Sequence, residues 1–295
     1  MSAAIALERR PASSVVRDYL ELSKARIVFM ILITTGAGYL LAEPFSWAIL
    51  AHVLIGTALV AGGTNALNQC WEHGLDARMA RTKRRPLPAG RITLRAAIAY
   101  SVSISVVGIA YLAVAVNPLS ALIAFITLVS YVFIYTPMKT RSTFCTLVGA
   151  LPGAMPPLIG WAGATGALAT PAWLMFGIMF LWQLPHFLAI SWIYRDDYAR
   201  AGFEMTSVHD GDGKATGRHA VGYSIALLTF SMLPALLGLG TVAYFAGALL
   251  AGGALLWIAG VFAATRTIAS ARKLFMVSNI YLLVIMALML VGRVS

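Results

Sequence analysis

The sequence predicts an all-α polytopic membrane protein, with nine transmembrane helices around a central cavity that opens to the cytoplasmic side. Three observations predict it. Of 295 residues, 60% are hydrophobic and only 11% are charged, with a mean hydropathy of +0.81. Soluble domains carry about a quarter charged residues, so a water-facing surface cannot be built from this chain and lipid must cover much of it. Nine long runs are almost free of charge, and Lys and Arg collect in alternate segments between them.

The runs are Ile27 to Ala42, Trp47 to Gly62, Ala96 to Val116, Leu119 to Pro137, Phe144 to Gly163, Trp173 to Ile193, Val221 to Leu239, Val242 to Thr265 and Phe275 to Val291. A spanning helix needs about 20 apolar residues, so each run, slightly extended, crosses once. Gly and Pro within them are tolerable where neighbouring helices cover the freed backbone groups. A β-barrel would show alternating segments of about 10 residues, and there are none. Residues 1–22 read as a cytoplasmic tail and 23–295 as one membrane-embedded domain. No cleavable signal is expected: Ala3 to Leu7 is too short for an apolar core, and Glu8, Arg9 and Arg10 follow at once. Cys70 and Cys145 lie at or inside spans and imply no disulfide framework.

The formal net charge of +11 reads as topology rather than nucleic-acid binding. With the N-terminus in the cytoplasm, the cytoplasmic segments are the tail, Trp71 to Arg95, Met138 to Thr143, Tyr194 to Ala220 and Arg266 to Leu274. With Lys24 and Arg26, which lead into the first run, they hold every Lys and Arg except Arg293. The outer loops carry one charge, Glu43, and the C-terminus falls outside. The second and sixth spans run the same way and both end in acidic segments on the charged face, a weak echo of a parallel internal repeat.

The second span runs out through Asn68, Glu72 and Asp76, spaced i, i+4, i+8. On a continuing helix they share one face, about 6 Å apart per step. Two carboxylates and an amide oxygen are hard ligands, and Mg²⁺ takes one or two carboxylates and fills its shell with water and phosphate. Arg78, Arg81, Lys83, Arg84, Arg85 and Arg91 follow. An acidic metal site beside a basic loop suits a diphosphate, because metal bridges some oxygens and guanidinium groups take others. A solvated helix end with an orienting basic loop is the plainer alternative.

The sixth span holds Gln183, Pro185 and His186 and ends at Tyr194-Arg195-Asp196-Asp197-Tyr198. Polar groups within a span usually face the bundle interior and mark function. His186 reads as a packed interior histidine, a substrate contact or a proton-transfer group. Pro185 is expected to distort the helix. Asp196 and Asp197 read as a second Mg²⁺ position or as a solvated loop pair. Glu204, Asp210 and Asp212 read as solvated, in a loop long enough to form a lid.

These residues resemble the intramembrane prenyltransferase superfamily, and within it the haem-farnesylating branch. The signature stands as Asn68-x3-Glu72-x2-Leu75-Asp76-x2-Met79-x-Arg81-Thr82-x2-Arg85-x4-Gly90. Tyr135 to Arg141, Gly153 to Trp161, Trp182 to Phe187 and Tyr194 to Gly202 are similar to further segments of the same family, and the resemblance covers roughly residues 18 to 290. Leu22 to Arg26 resembles the family's entry to the first span, with Ala25 where Pro is commoner, and Glu72 stands where the wider superfamily often has Asp. The resemblance implies transfer of a farnesyl group from farnesyl diphosphate to a vinyl group of haem b, with water adding a hydroxyl. It implies Mg²⁺ on Asn68, Glu72, Asp76 and the Asp196/Asp197 side, and a growing negative charge met by Arg81, Arg85, Lys139 and Arg141. His186, beside Gln183, is expected at haem iron or a propionate, and Lys24 and Arg26 at a propionate or a phosphate. It also implies a bacterial inner membrane, and leaves open whether a haem A synthase or a terminal oxidase docks.

The nearest rival is prenylation of an aromatic acid or quinone precursor, with the same diphosphate site. A transporter would place its acids near the bilayer midplane, whereas these stand at helix ends. A haem-binding assembly factor would not require the ordered acids beside Arg81 and Arg85.

Overall fold

The computed structural model describes residues 12–293. The expectations on Ala3 to Leu7 and Glu8 to Arg10 lie outside the described residues. Fourteen α-helical segments and one π-helical stretch occur among those described. Part of the segment read as a tail is helix α1, Ala12–Leu22. It meets α2, Ala25–Leu41, at a bend of 56°. Between them Lys24 adopts a left-handed backbone with φ 53°.

Next come α3, Trp47–Asp76, and α4, Leu94–Ala115. Ser46 and Thr93 cap their first turns by accepting backbone N–H groups from Ile49 and Ala96. Helix α5, Pro118–Val129, starts on an Asn117 cap with Pro118 in the first turn. It runs through a π-helical stretch, Ser130–Tyr135, into the single turn α6, Thr136–Met138. The fifth span breaks at Met155 into α7, Cys145–Ala154, and α8, Pro156–Thr165. Then follow α9, Thr170–Ile193, the short α10, Arg195–Ala201, and α11, Thr206–His209. Three long helices complete the bundle: α12, Lys214–Leu236; α13, Val242–Thr265; α14, Ile268–Val291.

Eight spans are long and apolar enough to cross a membrane, and the bent α1–α2 pair makes a ninth. Val114, Leu250 and Trp257 stand exposed on them, as lipid-facing side chains do. The chain is a multi-pass membrane protein. One core packs α2, α3, α5 and α8 around Tyr39, Val53, Leu158 and Trp161. A second packs α9, α12, α13 and α14 around Met175, Leu227, Leu255 and Phe262.

Helices α2 and α8 cross almost backbone to backbone. A Cβ on Gly160 would lie 1.9 Å from the Thr35 carbonyl oxygen, and one on Gly38 would lie 2.2 Å from that of Pro157. Helix α9 runs unbroken through Pro185. The irregularities fall elsewhere. Met155 lies between Pro152 and the Pro156-Pro157 pair, and the π stretch precedes Pro137, which has no N–H to give. Stretches of π-helix frequently mark functional sites.

Helix α3 has 30 residues and is therefore about 45 Å long, against a hydrocarbon layer of about 30 Å. It is long enough for its last turns, which lead into the charged segments, to reach past that layer. Two clefts of about 290 and 420 Å³ lie at the other end, on either side of Glu43 and Arg293.

Candidate active site

Asn68, Glu72 and Asp76 are all buried on the last turns of α3. Two carboxylates at a helix C-terminus oppose its dipole, so the fold must compensate them. It sets one cation on each carboxylate and a third on the Asn68 amide. Lys24 Nζ, from the α1–α2 break, donates to Asn68 Oδ1 at 2.8 Å. Lys139 Nζ, just past α6, donates to Glu72 Oε1 at 2.7 Å. Arg85, from the basic loop, donates to Asp76 Oδ2 at 2.7 Å. The other oxygen of Asp76, Oδ1, is buried with no hydrogen-bond partner. A buried, unpartnered carboxylate oxygen is costly, and with Asn68 Oδ1 and Glu72 it makes a donor set suited to a hard divalent cation. Among the described residues no group of three or more His, Cys, Asp or Glu is gathered, so the set here is two carboxylates and an amide.

The π stretch turns its end toward this cluster. Thr136 Oγ1 accepts from Asn68 Nδ2 at 3.1 Å and donates to the Tyr131 carbonyl at 2.8 Å. Lys139 Nζ stands 4.6 Å from the centre of the Tyr135 ring, and Tyr131 lies 5.1 Å from Tyr135. Burial works against the charge on Lys139, but Glu72, with Tyr135 and Tyr131, more than offsets it and holds its pKa well above the usual lysine range. Tyr131 and Tyr135 were not among the expected site residues. The signal that points to Tyr135 is its i, i+4 spacing to Lys139, which sets a ring beneath the ammonium.

The basic loop is fastened to the second acidic segment. The Ala80 N–H donates to Asp197 Oδ1 at 3.2 Å, and Arg200 pairs with the same carboxylate. Arg81 lays its guanidinium over the rings of Tyr194, 4.8 Å to the centre, and Tyr198, 5.9 Å. Asp196 is not brought in. Its side chain is 85% exposed and lies 3.7 Å from Arg195. Consecutive residues on α10 point about 100° apart, so Asp197 meets the loop while Asp196 meets solvent. The structure therefore does not assemble the expected Asp196/Asp197 pair.

Arg26 and Arg141 are exposed on this same charged end. Gln183 and His186 lie deeper on α9 and diverge. Gln183 donates to the Ala150 carbonyl at 3.3 Å and that of Met179 at 2.9 Å. His186 Nδ1 meets Ser278 Oγ on α14 at 2.9 Å, between the rings of Trp182 and Phe275, each 4.8 Å away. The segment expected as a lid is tied down: the Glu204 N–H donates to the Lys139 carbonyl at 2.7 Å, Glu204 pairs with His209, and Asp210 accepts from the Thr216 N–H at 2.6 Å.

The UbiA prenyltransferase family model matches residues 31–283, from the first apolar span through the last. The chain belongs to the UbiA prenyltransferase family. Among curated relatives, a protoheme IX farnesyltransferase of Solibacter usitatus is 47% identical over 289 residues, covering 94% of this chain and 99% of that one. Another, of Koribacter versatilis, is 40% identical, covering 98% and 97%. Among solved structures, a digeranylgeranylglyceryl phosphate synthase aligns with a TM-score of 0.78 at 17% identity, covering 94% of this chain and 98% of the other. A UbiA homolog from Archaeoglobus fulgidus bound to GPP and Mg²⁺ aligns with a TM-score of 0.66 at 14% identity, covering 92% and 99%. At these identities the structural likeness speaks for the fold. As a UbiA-family enzyme the chain is a prenyltransferase, and the acids of α3 with the cations around them are its candidate active site.

Proposed function

We propose that this UbiA-family prenyltransferase moves a farnesyl group from farnesyl diphosphate to a vinyl group of haem b, giving haem O and diphosphate. The observation that carries the diphosphate half is the one-to-one set of Lys24, Lys139 and Arg85 on Asn68, Glu72 and Asp76. The haem half is supported by relatives of 47% and 40% identity named for that reaction.

Asn68, Glu72 and Asp76 would hold Mg²⁺, with Asp76 Oδ1 the oxygen lacking another partner. When bound, Mg²⁺ supplies positive charge against the leaving diphosphate. Lys24, Arg85 and Lys139 stand on the same three side chains and donate N–H groups to diphosphate oxygens, with Arg81 and Arg141 at the entrance. The C1–O bond of the farnesyl group breaks, and its electron pair leaves with the diphosphate. The rings of Tyr135 and Tyr131 present a π face to the allyl cation. C1 joins the terminal vinyl carbon, water oxygen joins the inner one, and the water's second proton passes to solvent. Ser278 engages His186 Nδ1 and leaves Nε2 to meet haem iron or a propionate. Arg26 and Lys24 flank the charged rim on the α2 side. Asp197 acts on the basic loop through Ala80 rather than on the acids of α3. The excess of Lys and Arg on this face supports a cytoplasmic active site in a bacterial inner membrane, with the C-terminus outside.

The test is product analysis. Purified protein in lipid, given Mg²⁺ and farnesyl diphosphate with either haem b or an aromatic acid, is expected to yield haem O and leave the aromatic acid unprenylated. The reverse outcome would overturn the haem assignment.

A further inference from the structure

Lys24 reaches Asn68 from a backbone conformation that a non-glycine residue rarely adopts, φ 53°, ψ 54°. Such a conformation persists only where its surroundings impose it. The surroundings here are specific. Gln69, next to Asn68 on α3 and only 1% exposed, donates through Nε2 to the carbonyls of Glu21 at 3.1 Å and Leu22 at 2.7 Å. Those carbonyls lie in the last turn of α1, where orphan acceptors collect; that of Glu21 also accepts the Lys24 N–H at 3.1 Å, so Gln69 and the Lys24 backbone meet on the same oxygen. Ser23 Oγ meets Tyr100 OH on α4 at 2.9 Å. On the other flank, Arg91 bonds Asp18 and Glu21 of α1, each at 2.8 Å, and the Arg84 carbonyl, also at 2.8 Å. Helix α1 is thus tied both to the helix that carries the acids and to the loop that carries Arg85.

We infer that Gln69 is a positioning residue for prenyl transfer: by capping α1 beside Asn68, it holds the α1–α2 break in the shape that presents Lys24 to the substrate diphosphate. Gln69 touches neither substrate nor reacting atoms in this arrangement. It acts through Lys24, and α1 is a structural arm of the active site. The inference rests on the reading of the α3 cluster as a diphosphate site.

The test is a double-mutant cycle on the full-length protein in lipid nanodiscs. It reads KM and kcat for farnesyl diphosphate with haem b, and in parallel the calorimetric Kd of farnesyl diphosphate. Lys24→Met removes one charge-assisted hydrogen bond and is expected to raise KM and Kd about tenfold. Gln69→Met is expected to raise both by a similar factor, with kcat within about twofold of wild type. The double variant is expected to stay near about tenfold instead of multiplying to about a hundredfold, because both changes remove the same contact. Tyr100→Phe loosens the break from the other side, and its smaller rise, about threefold, is likewise expected to vanish in the Lys24→Met background. Multiplying effects, or a Gln69→Met variant that loses kcat with KM and Kd unchanged, would overturn the inference. If Gln69→Met does not fold, the Tyr100 cycle decides alone. A wild-type protein that fails to bind farnesyl diphosphate overturns the underlying diphosphate reading as well, and so is distinguishable from failure of the cycle.

Discussion

Replacing Lys139 by Met tests the site's electrostatics more sharply than any other single change. Its ammonium lies 2.7 Å from Glu72 Oε1, and the two side chains are only 11% and 6% exposed. Removing one partner of so enclosed a pair leaves an uncompensated buried charge, at a cost of about 3–5 kcal/mol. Met keeps the length and apolar stem of Lys, so packing changes little. Glu72→Gln in the same background removes the stranded charge, and the double variant should recover about 2–3 kcal/mol of the loss. The assay is unfolding in mixed micelles with EDTA present. Adding Mg²⁺ at about a hundred times its Kd should then stabilise Lys139→Met by about 2.7 kcal/mol, since metal can replace the missing ammonium on Glu72. A loss below about 1 kcal/mol, or additive single changes, would refute the placement of this pair at a buried site.

Two further outcomes follow from the geometry. Asp197→Asn weakens the junction with the Ala80 N–H and should lower turnover about tenfold, whereas the exposed Asp196→Asn should leave turnover near wild type; equal losses would mean that both acids act on the reaction. Gly160→Ala drives a methyl group into the Thr35 carbonyl and should lower stability by about 1–3 kcal/mol in the same unfolding assay. Gly74→Ala, with nothing within 4 Å of the added Cβ, should be neutral or slightly stabilising.

The spans are legible in the sequence because lipid imposes a one-dimensional rule: runs such as Val242 to Thr265 must be apolar throughout. Residues at i, i+4, i+8 on one helix must share a face, so spacing alone groups Asn68, Glu72 and Asp76. The pairing of each with its own cation cannot be read that way. Lys24, Arg85 and Lys139 arrive from three separate segments, and only packing sets which meets which. Neighbouring positions mislead where helix phase separates them, as with Asp196 and Asp197. Proline alone does not say where a span breaks: α9 runs on through Pro185, whereas the fifth span breaks at Met155. The π stretch and the rings of Tyr131 and Tyr135 carry no strong local signature, because a π turn arises from tertiary accommodation. Helix α1 is short and polar enough to pass as a tail, and its contacts with Gln69 and Arg91 are what make it part of the bundle.

The most direct measurement of the central claim is magnetic resonance on protein loaded with Mn²⁺ in place of Mg²⁺ and a thio analogue of farnesyl diphosphate. Phosphorus hyperfine coupling to the bound Mn²⁺ is expected in wild type and in Asp196→Asn. It should disappear in Asp76→Ala while membrane insertion stays intact. Coupling of undiminished strength in Asp76→Ala would contradict the assignment of the α3 acids as the metal–diphosphate site.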